Sequence, residues 1–450
     1  MLKKLLALLL CLSLLAVPAF AAEEEAALPP ADWAVPYLME AESLNLLSEA
    51  SMARLYETVT EDDLAWMTTI VGSKLALLGL PANEALADKA VVFDGSRSSV
   101  LETLALLAED YIWDTDAAGI DFLVELGVVQ GDGVSLALMR PCTVQEYLVL
   151  SARFVLACYD YAGAGSRGLL WKVTNPQNGA VLYLMGTYHV DMNNMYPVNG
   201  IVRSAIDVSG RVYFELDFMD ESGIAEFTAL QFYPEGECLK DNISAALYAD
   251  VVELFGAMGL DEATVNSLKP WALSNSLDSL SYVDDSTGES SLPVDMYLYM
   301  RAMLAAKEVG GIETYALQAS VFDTLSPAYQ AEALEYAVYN FLRGAAEESG
   351  SGEDAAEVLS LLQTWQAGDL AGFNALMNKD ALLAEAEKYN DQLTFNLLTL
   401  RDPAMIESAA AFLQEANSVT FLAVGSLHMI GSTGIVAAMD DMGYIVEYLY

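Results

Sequence analysis

The sequence predicts an α/β fold, a mostly parallel sheet covered by helices, preceded by a smaller helical domain. Three observations predict it. Between residues 169 and 450, short and nearly continuous apolar runs alternate with longer segments of helical period, as expected of strands buried on both faces. Residues 31–162 are helical in pattern almost throughout. Between the two lies Tyr161-Ala162-Gly163-Ala164-Gly165-Ser166-Arg167-Gly168, rich in small residues, which reads as a linker. The expected organisation is a leader over 1–21, a helical domain over 22–162 and a second domain over 169–450.

The leader has the three parts of a secretory signal. Lys3 and Lys4 form its basic region, Leu5 to Val17 its apolar region, and Ala19-Phe20-Ala21 a small-x-small cleavage site. The apolar run is short for a membrane span. Cys11 lacks a small residue just before it, which argues against a lipoprotein anchor. No other stretch is long and apolar enough to span a bilayer. The mature chain is therefore expected to lack a transmembrane span and to be secreted or associated with a bacterial cell envelope.

In the helical domain, Asp32-Trp33-Ala34 opens a helix that ends in Leu44-Asn45-Leu46-Leu47. Thr60 and Thr143 each stand three residues before an acid, Asp63 and Glu146, the spacing of a capping box. An apolar helix follows Thr60 as far as Leu80. Gly119 to Gly127 leads into Val128-Val129-Gln130-Gly131-Asp132-Gly133, then Arg140-Pro141 and a helix from Thr143 to about Tyr159. This second segment resembles a surface-layer homology (SLH) repeat, with its helix, glycine turn, Arg-Pro loop and T-x-x-E helix in order. The resemblance implies a cell-wall polymer as partner, bound through basic residues near the T-x-x-E helix. Here the helix starts carry Glu61, Asp62, Asp63 and Glu146 without an arginine, so the resemblance supports the fold more than the anchoring.

In the second domain, strands are expected over 169–174, 181–186, 211–217, 308–313, 419–425 and 444–450. Helices are expected over 198–208, 221–231, 243–256, 292–307, 325–347, 353–365, 369–376, 379–399, 403–416 and 432–442. Ligands of such sheets collect beyond the carboxyl ends of the strands.

Composition narrows the function. The formal net charge is −44, which repels phosphates and argues against a nucleic-acid partner. The acids are scattered, so solubility explains them better than cation binding does. With 54% hydrophobic residues, the chain can bury a substantial core. Beyond the leader, Cys142, Cys158 and Cys238 are odd in number and lack metal-ligand spacing. A Cys142–Cys158 bridge is open to the chain, but buried free thiols are the commoner outcome for apolar helical sequence.

The chain has two histidines, His189 and His428, and both end the same pattern. Gly186-Thr187-Tyr188-His189 follows the apolar run Val181 to Met185, and Gly425-Ser426-Leu427-His428 follows Thr420 to Val424. A strand-end glycine lets the chain turn sharply and lets the histidine point back over the sheet edge. Glu215, at the end of Tyr213-Phe214-Glu215-Leu216-Asp217, is expected on the strand beside the first motif. Two imidazoles and a carboxylate match a divalent-metal site with open positions. Asp217 competes with Glu215 for that role. Strand alternation puts both on one face, so one can ligate while the other orients a histidine. Thr187 and Ser426 fit turn-stabilising hydroxyls better than nucleophiles, and Met185, Met192, Met195 and Met429 fit packing better than ligation.

Further segments extend the pattern. They are Trp171-Lys172-Val173, Leu268-Lys269-Pro270-Trp271, Asp295 with Tyr297-Leu298 and Ala302, Gly311-Ile312-Glu313-Thr314 with Gln318, Arg401-Asp402-Pro403-Ala404-Met405, and Gly431, Gly434 and Gly443-Tyr444 after the second histidine. Taken in order over about 169–450, the chain resembles the TraB/GumN family, which is related to the Tiki metalloproteases and more distantly to erythromycin esterases and ChaN-like proteins. Departures from the family pattern include Asp191 where Gly is common, Asp402 where Asn is common and Met429 where Leu is common. The resemblance implies a metal-dependent hydrolase of peptides or small molecules using Mn²⁺, Co²⁺ or Zn²⁺. His189, His428 and Glu215 would be its metal set, with Glu215, Arg401 and Glu313 catalytic. Arg401 would bind a substrate carboxylate or a developing oxyanion, and Glu313 would serve as fourth ligand or general base. Two alternatives stay open: a metal-free esterase-type hydrolase in which a histidine activates water, and a non-enzymatic envelope protein that binds wall polymer together with haem or a peptide.

Overall fold

The structure is a computed structural model that describes residues 28–83, 91–131, 135–188, 195–280, 292–346 and 352–450. The expected leader over 1–21, the Asp132-Gly133 end of the glycine turn, and His189, Asp191 and Met192 lie outside the described residues. Among the described residues no helix is long and apolar enough to cross a membrane.

The described chain divides into two compact units, one of residues 28–166 with 195–204, the other of residues 167–188 with 205–450. The smaller unit is helical. Helices Glu61–Ala76, Arg97–Glu109 and Val144–Ala162 begin at Thr60, Ser96 and Thr143. Thr60 Oγ1 accepts the Asp63 N–H at 3.2 Å while the Asp63 carboxylate accepts the Thr60 N–H at 2.9 Å. Glu146 Oε2 accepts the Thr143 N–H at 3.1 Å. The bonds at Thr60 are reciprocal, that at Thr143 is one-way, and each satisfies a backbone N–H at a helix start. The segments leading into the three helices bond to one another: Val59 N–H to Cys142 O, Val144 N–H to Glu57 O, Cys142 N–H to Gly95 O and Arg97 N–H to Arg140 O, each at 2.9 Å. The start at Ser96 is one that the sequence reading did not single out. Cys142 and Cys158 are free and buried, and Cys238 is free. Burial pushes the Cys142 thiol up to about 12.

The larger unit holds a six-stranded sheet in the order β4-β3-β5-β2-β1-β6, with β1 Leu169–Thr174, β2 Val181–Thr187, β3 Arg211–Phe214, β4 Glu308–Gly311, β5 Val419–Gly425 and β6 Ile445–Tyr448. Strands β4, β3, β5 and β2 run parallel. β1 pairs antiparallel with β2 and with β6. The central β5 is buried along nearly its whole length, whereas edge strand β6 alternates exposed and half-buried positions. Helices cover the sheet, so continuous apolar character marks its middle and alternation its edge.

Three differences from the sequence expectations bear on the site. The strand expected over 211–217 ends at Phe214, and the one over 308–313 ends at Gly311. Glu215 is thus the first side chain past the end of β3, and Glu313 the second past the end of β4. β3 neighbours β5 and not β2, so Glu215 lies beside the second histidine motif and one strand away from the first. The helix expected over 379–399 is two helices, Lys379–Tyr389 and Gln392–Leu398, because Asn390 turns left-handed (φ 51°) and Asp391 caps the second.

Candidate functional site

Because β2, β5, β3 and β4 are parallel, their carboxyl ends share one edge. In register, Gly186 pairs with Val424 and Thr187 with Gly425. The two glycine motifs therefore leave adjacent strands side by side. Ser426 Oγ donates to Thr187 O at 2.9 Å. A Cβ on Gly186 would lie 2.9 Å from Ser426 Oγ and 3.1 Å from Ser426 Cα, so glycine is what lets the strands meet this closely. From the helix Gly352–Ala367, the fully buried Trp365 donates its Nε1–H to Gly186 O at 2.8 Å.

Past β3 and β4, two carboxylates converge on one guanidinium. Arg401 is fully buried. Its Nε lies 3.0 and 3.1 Å from the Glu313 carboxylate oxygens, and its Nη2 lies 2.6 Å from Glu313 Oε2 and 2.5 Å from Glu215 Oε2. Gln318 Nε2 donates to both carboxylates, at 3.2 Å to Glu215 and 3.3 Å to Glu313. Glu215 Oε1 accepts the Gly425 N–H at 2.7 Å. Burial works against the charge on Arg401, but Glu215 and Glu313 outweigh it and raise the guanidinium well above its ordinary value. Arg401 Nη1 is buried with no hydrogen-bond partner among the described residues. Asp217 is turned elsewhere: its Oδ1 accepts from Met219 N–H at 3.0 Å and from Tyr299 O–H at 2.5 Å.

The helix Asp402–Phe412 places Pro403 in its first turn, where a missing N–H costs nothing. Its start sets Arg401 and Asp402 side by side at the sheet edge. His428, on the single turn Ser426–Met429, is buried, and its Nδ1 lies 2.7 Å from Asp402 Oδ1. The other Asp402 oxygen lies 2.7 Å from Lys379 Nζ, itself buried. Burial holds the Lys379 ammonium below its ordinary value, partly offset by Asp402.

Of the residues expected at the site, Glu215, Glu313, Arg401 and His428 thus gather at one sheet edge, joined through Gly425 and the Arg401–Asp402 pair, and His189 lies outside the described residues. Sequence reasoning missed Lys379. The signal was available: Asn378 is a good N-cap, and a lysine in the first turn that follows is disfavoured by the helix dipole unless something holds it. A carboxylate on Nδ1 is the usual outer partner of a metal-ligating imidazole, and no hydrogen bond reaches His428 Nε2 among the described residues. In that respect the donor chemistry fits a divalent ion. Among the described residues no group of three His, Cys, Asp or Glu side chains converges to hold one.

Two curated relatives are similar to the chain. Metalloprotease TIKI1 of Danio rerio is 25% identical over 305 residues, 59% of this chain and 60% of the relative. Metalloprotease TIKI2 of Danio rerio is 23% identical over 318 residues, 62% of this chain and 60% of the relative. The chain thus spans about 60% of the length of these relatives. No solved structure matches the chain significantly. The family model of the TraB/PrgY/gumN family matches residues 169–448, which hold the whole sheet and every site residue described above, and the chain belongs to that family.

Proposed function

We propose that the chain is a secreted, divalent-metal-dependent hydrolase of peptides whose site lies at the carboxyl edge of β2, β5 and β3. The observation that carries this reading is His428, with Nδ1 tied to Asp402 and no hydrogen bond to Nε2 among the described residues, in a motif that leaves the sheet beside its twin. Two relatives named as metalloproteases support it. His428 and His189 would hold the ion, with Glu215 beside them as ligand or general base. A divalent ion in such a site supplies Lewis acidity, lowering the pKa of water and polarising the scissile carbonyl.

The protein's own groups have separable tasks. Asp402 holds the His428 ring. Glu215, fixed by Gly425 N–H, Arg401 and Gln318, presents a carboxylate of set plane at the sheet edge. Arg401 pairs with that carboxylate and would be the cation available to a developing oxyanion. Glu313, whose side chain is fully buried and bonded through both oxygens to Arg401, fits the holder of Arg401 better than a fourth ligand or base. The division into 22–162 and 169–450, and a wall-polymer role for the first part, stand as proposals resting on the linker and the SLH resemblance.

The His428–Asp402 pair equally suits the metal-free reading, in which the carboxylate fixes the tautomer and Nε2 takes a proton from water. Metal analysis of the purified chain with a peptide-cleavage assay decides between them. Bound Mn²⁺, Co²⁺ or Zn²⁺, with activity lost to chelator and restored by metal, is the expected result. Activity untouched by chelator in metal-free protein selects the second reading. No cleavage of a peptide library with any of the three ions removes the proposal.

A further inference from the structure

We propose that Lys379 is a positioning residue for His428, acting through Asp402 to hold the imidazole in the tautomer with Nδ1 protonated and Nε2 presented to the site. The inference rests on His428 belonging to the site, whether as ligand or as base.

The geometry is a relay of three buried side chains. Asp402 bridges with one oxygen on Lys379 Nζ and the other on His428 Nδ1, each at 2.7 Å. The side chains are 0%, 5% and 5% exposed, so water does not substitute for a lost partner. A carboxylate held at one oxygen only can still rotate about its last bond. Held at both, its plane is set, and with it the direction of the lone pair that the ring must meet. Lys379 therefore determines which way His428 faces although it does not touch the ring.

Lys379 is poorly explained as a stabiliser of its own helix. It occupies the first turn of Lys379–Tyr389, where the helix dipole repels a cation. A buried ion pair is also weak grounds for stability, since desolvation cancels most of the attraction. The same helix start holds the chain after His428 a second time. Asp380 Oδ1 accepts the Ser432 N–H at 2.9 Å and the Ser432 hydroxyl at 2.8 Å. Gly431 adopts φ +80°, and a Cβ there would lie 3.0 Å from Lys379 Cβ and Cδ, so the lysine stem packs directly on that loop. The turn carrying His428 is thus gripped on its side chain by the relay and on its following backbone by Asp380. The buried Asp402 carboxylate needs a cation, and Lys379 is the cation bonded to it.

The chain's two histidines make the test direct. Long-range proton–nitrogen spectra of the ¹⁵N-labelled full chain report the tautomer of each ring, and His428→Gln assigns the signals. In the unaltered chain His428 is expected with Nδ1 protonated and Nε2 unprotonated. Lys379→Met is expected to convert that signal to a mixture of ring forms and to weaken calorimetric Zn²⁺ binding about 10–100-fold, the effect typical of an outer partner of a metal-bound histidine. The double variant Lys379→Gln/Asp402→Asn rebuilds the relay without charge and is expected to recover the tautomer and most of the affinity. It also serves if Lys379→Met does not fold, because Asp402→Asn alone, which sets an amide N–H₂ against the ammonium, is the comparison it must improve on. The inference is overturned if folded Lys379→Met keeps the His428 signals and Zn²⁺ affinity of the unaltered chain, or if the double variant is no better than Asp402→Asn. If the unaltered chain binds none of Mn²⁺, Co²⁺ and Zn²⁺ but Lys379→Met still scrambles the tautomer, the metal reading fails and the positioning role of Lys379 stands.

Discussion

Glu215 Oε1 accepts the backbone N–H of Gly425 at 2.7 Å, joining the end of β3 to the glycine that opens the second histidine motif. The bond spans 210 positions of sequence and sets the carboxylate of one segment against the turn that carries His428. With Arg401 on the other oxygen, Glu215 has little freedom. Glu215→Gln can keep one of these bonds but not both, since an amide presents one acceptor where the carboxylate presents two. Peptide hydrolysis by Glu215→Gln is expected to fall at least about 100-fold in kcat, as for loss of a positioned acid–base group. Steady-state kinetics beside a melting curve check it. A kcat within threefold of the unaltered chain would show that Glu215 only braces Gly425.

Arg401 is the keystone of two carboxylates, and its removal takes the bonded cation from Glu215 and from the fully buried Glu313. Arg401→Met is expected to destabilise the larger unit by about 3–5 kcal/mol, the usual cost of stranding a buried charge. Arg401→Lys should cost less, because it keeps the charge, but it loses the fork that reaches both acids. Adding Glu313→Gln to Arg401→Met should recover part of the loss. Urea denaturation measures all four proteins, and an unchanged midpoint for Arg401→Met would mean that the acids find other partners.

How much of this was legible in the sequence depends on the length scale of its cause. β1 and β5 have the expected bounds because a buried strand needs an unbroken apolar run, which is a local property. The break at Asn390-Asp391 escaped because apolar periodicity continues across it. The early end of β3 was hidden because the chain leaves the sheet to bring Glu215 to Gly425 and Arg401, partners 210 and 186 positions away. Strand order was hidden for the same reason: either motif strand can accept β3 on pattern alone, and the crossovers place it beside β5. His428 stood out by its glycine motif and Glu215 by its place at a strand end, whereas Glu313 and Arg401 entered only through the family resemblance. Lys379 did not stand out, because it reads as one more charge on a solvated helix.

The two motif strands approach closely at one point, which makes Gly186 a sensitive position. In Gly186→Ala the new methyl would lie 2.9 Å from Ser426 Oγ and 3.1 Å from its Cα. The hydroxyl can rotate away, but the backbone carbon cannot move without shifting the turn that carries His428. Gly186→Ala is expected to cost about 1–3 kcal/mol, as overpacking does, and to lower hydrolysis as well. Adding Ser426→Gly removes the hydroxyl contact but not the backbone one, so it should restore only part of either. Thermal melts with kinetics on the single and double variants test this; full recovery by Ser426→Gly would place the strain in the side chain alone.

The helical unit should carry its own acid sensitivity, through Glu146. Burial works against its charged form, but Arg140, the Thr143 N–H and Arg97 outweigh that and hold the carboxyl below its ordinary value near 4.5. The sign follows from proton binding. A carboxyl whose folded value is depressed binds protons less readily than in the unfolded chain, so its contribution is fully present above about pH 4.5 and is lost as pH falls through the folded value. At pH 7 Glu146→Gln should therefore melt at lower temperature than the unaltered chain. As pH falls below 4.5 the two melting temperatures should converge, because protonation of Glu146 removes what the substitution already removed. Arg140→Met should show the same convergence, since its hydrogen bonds are a main cause of the depression. Melting curves of the full chain from pH 7 to pH 3 read this directly, and a Glu146→Gln deficit that persists unchanged to pH 3 would show that Glu146 acts through packing and the Thr143 cap and not through its charge.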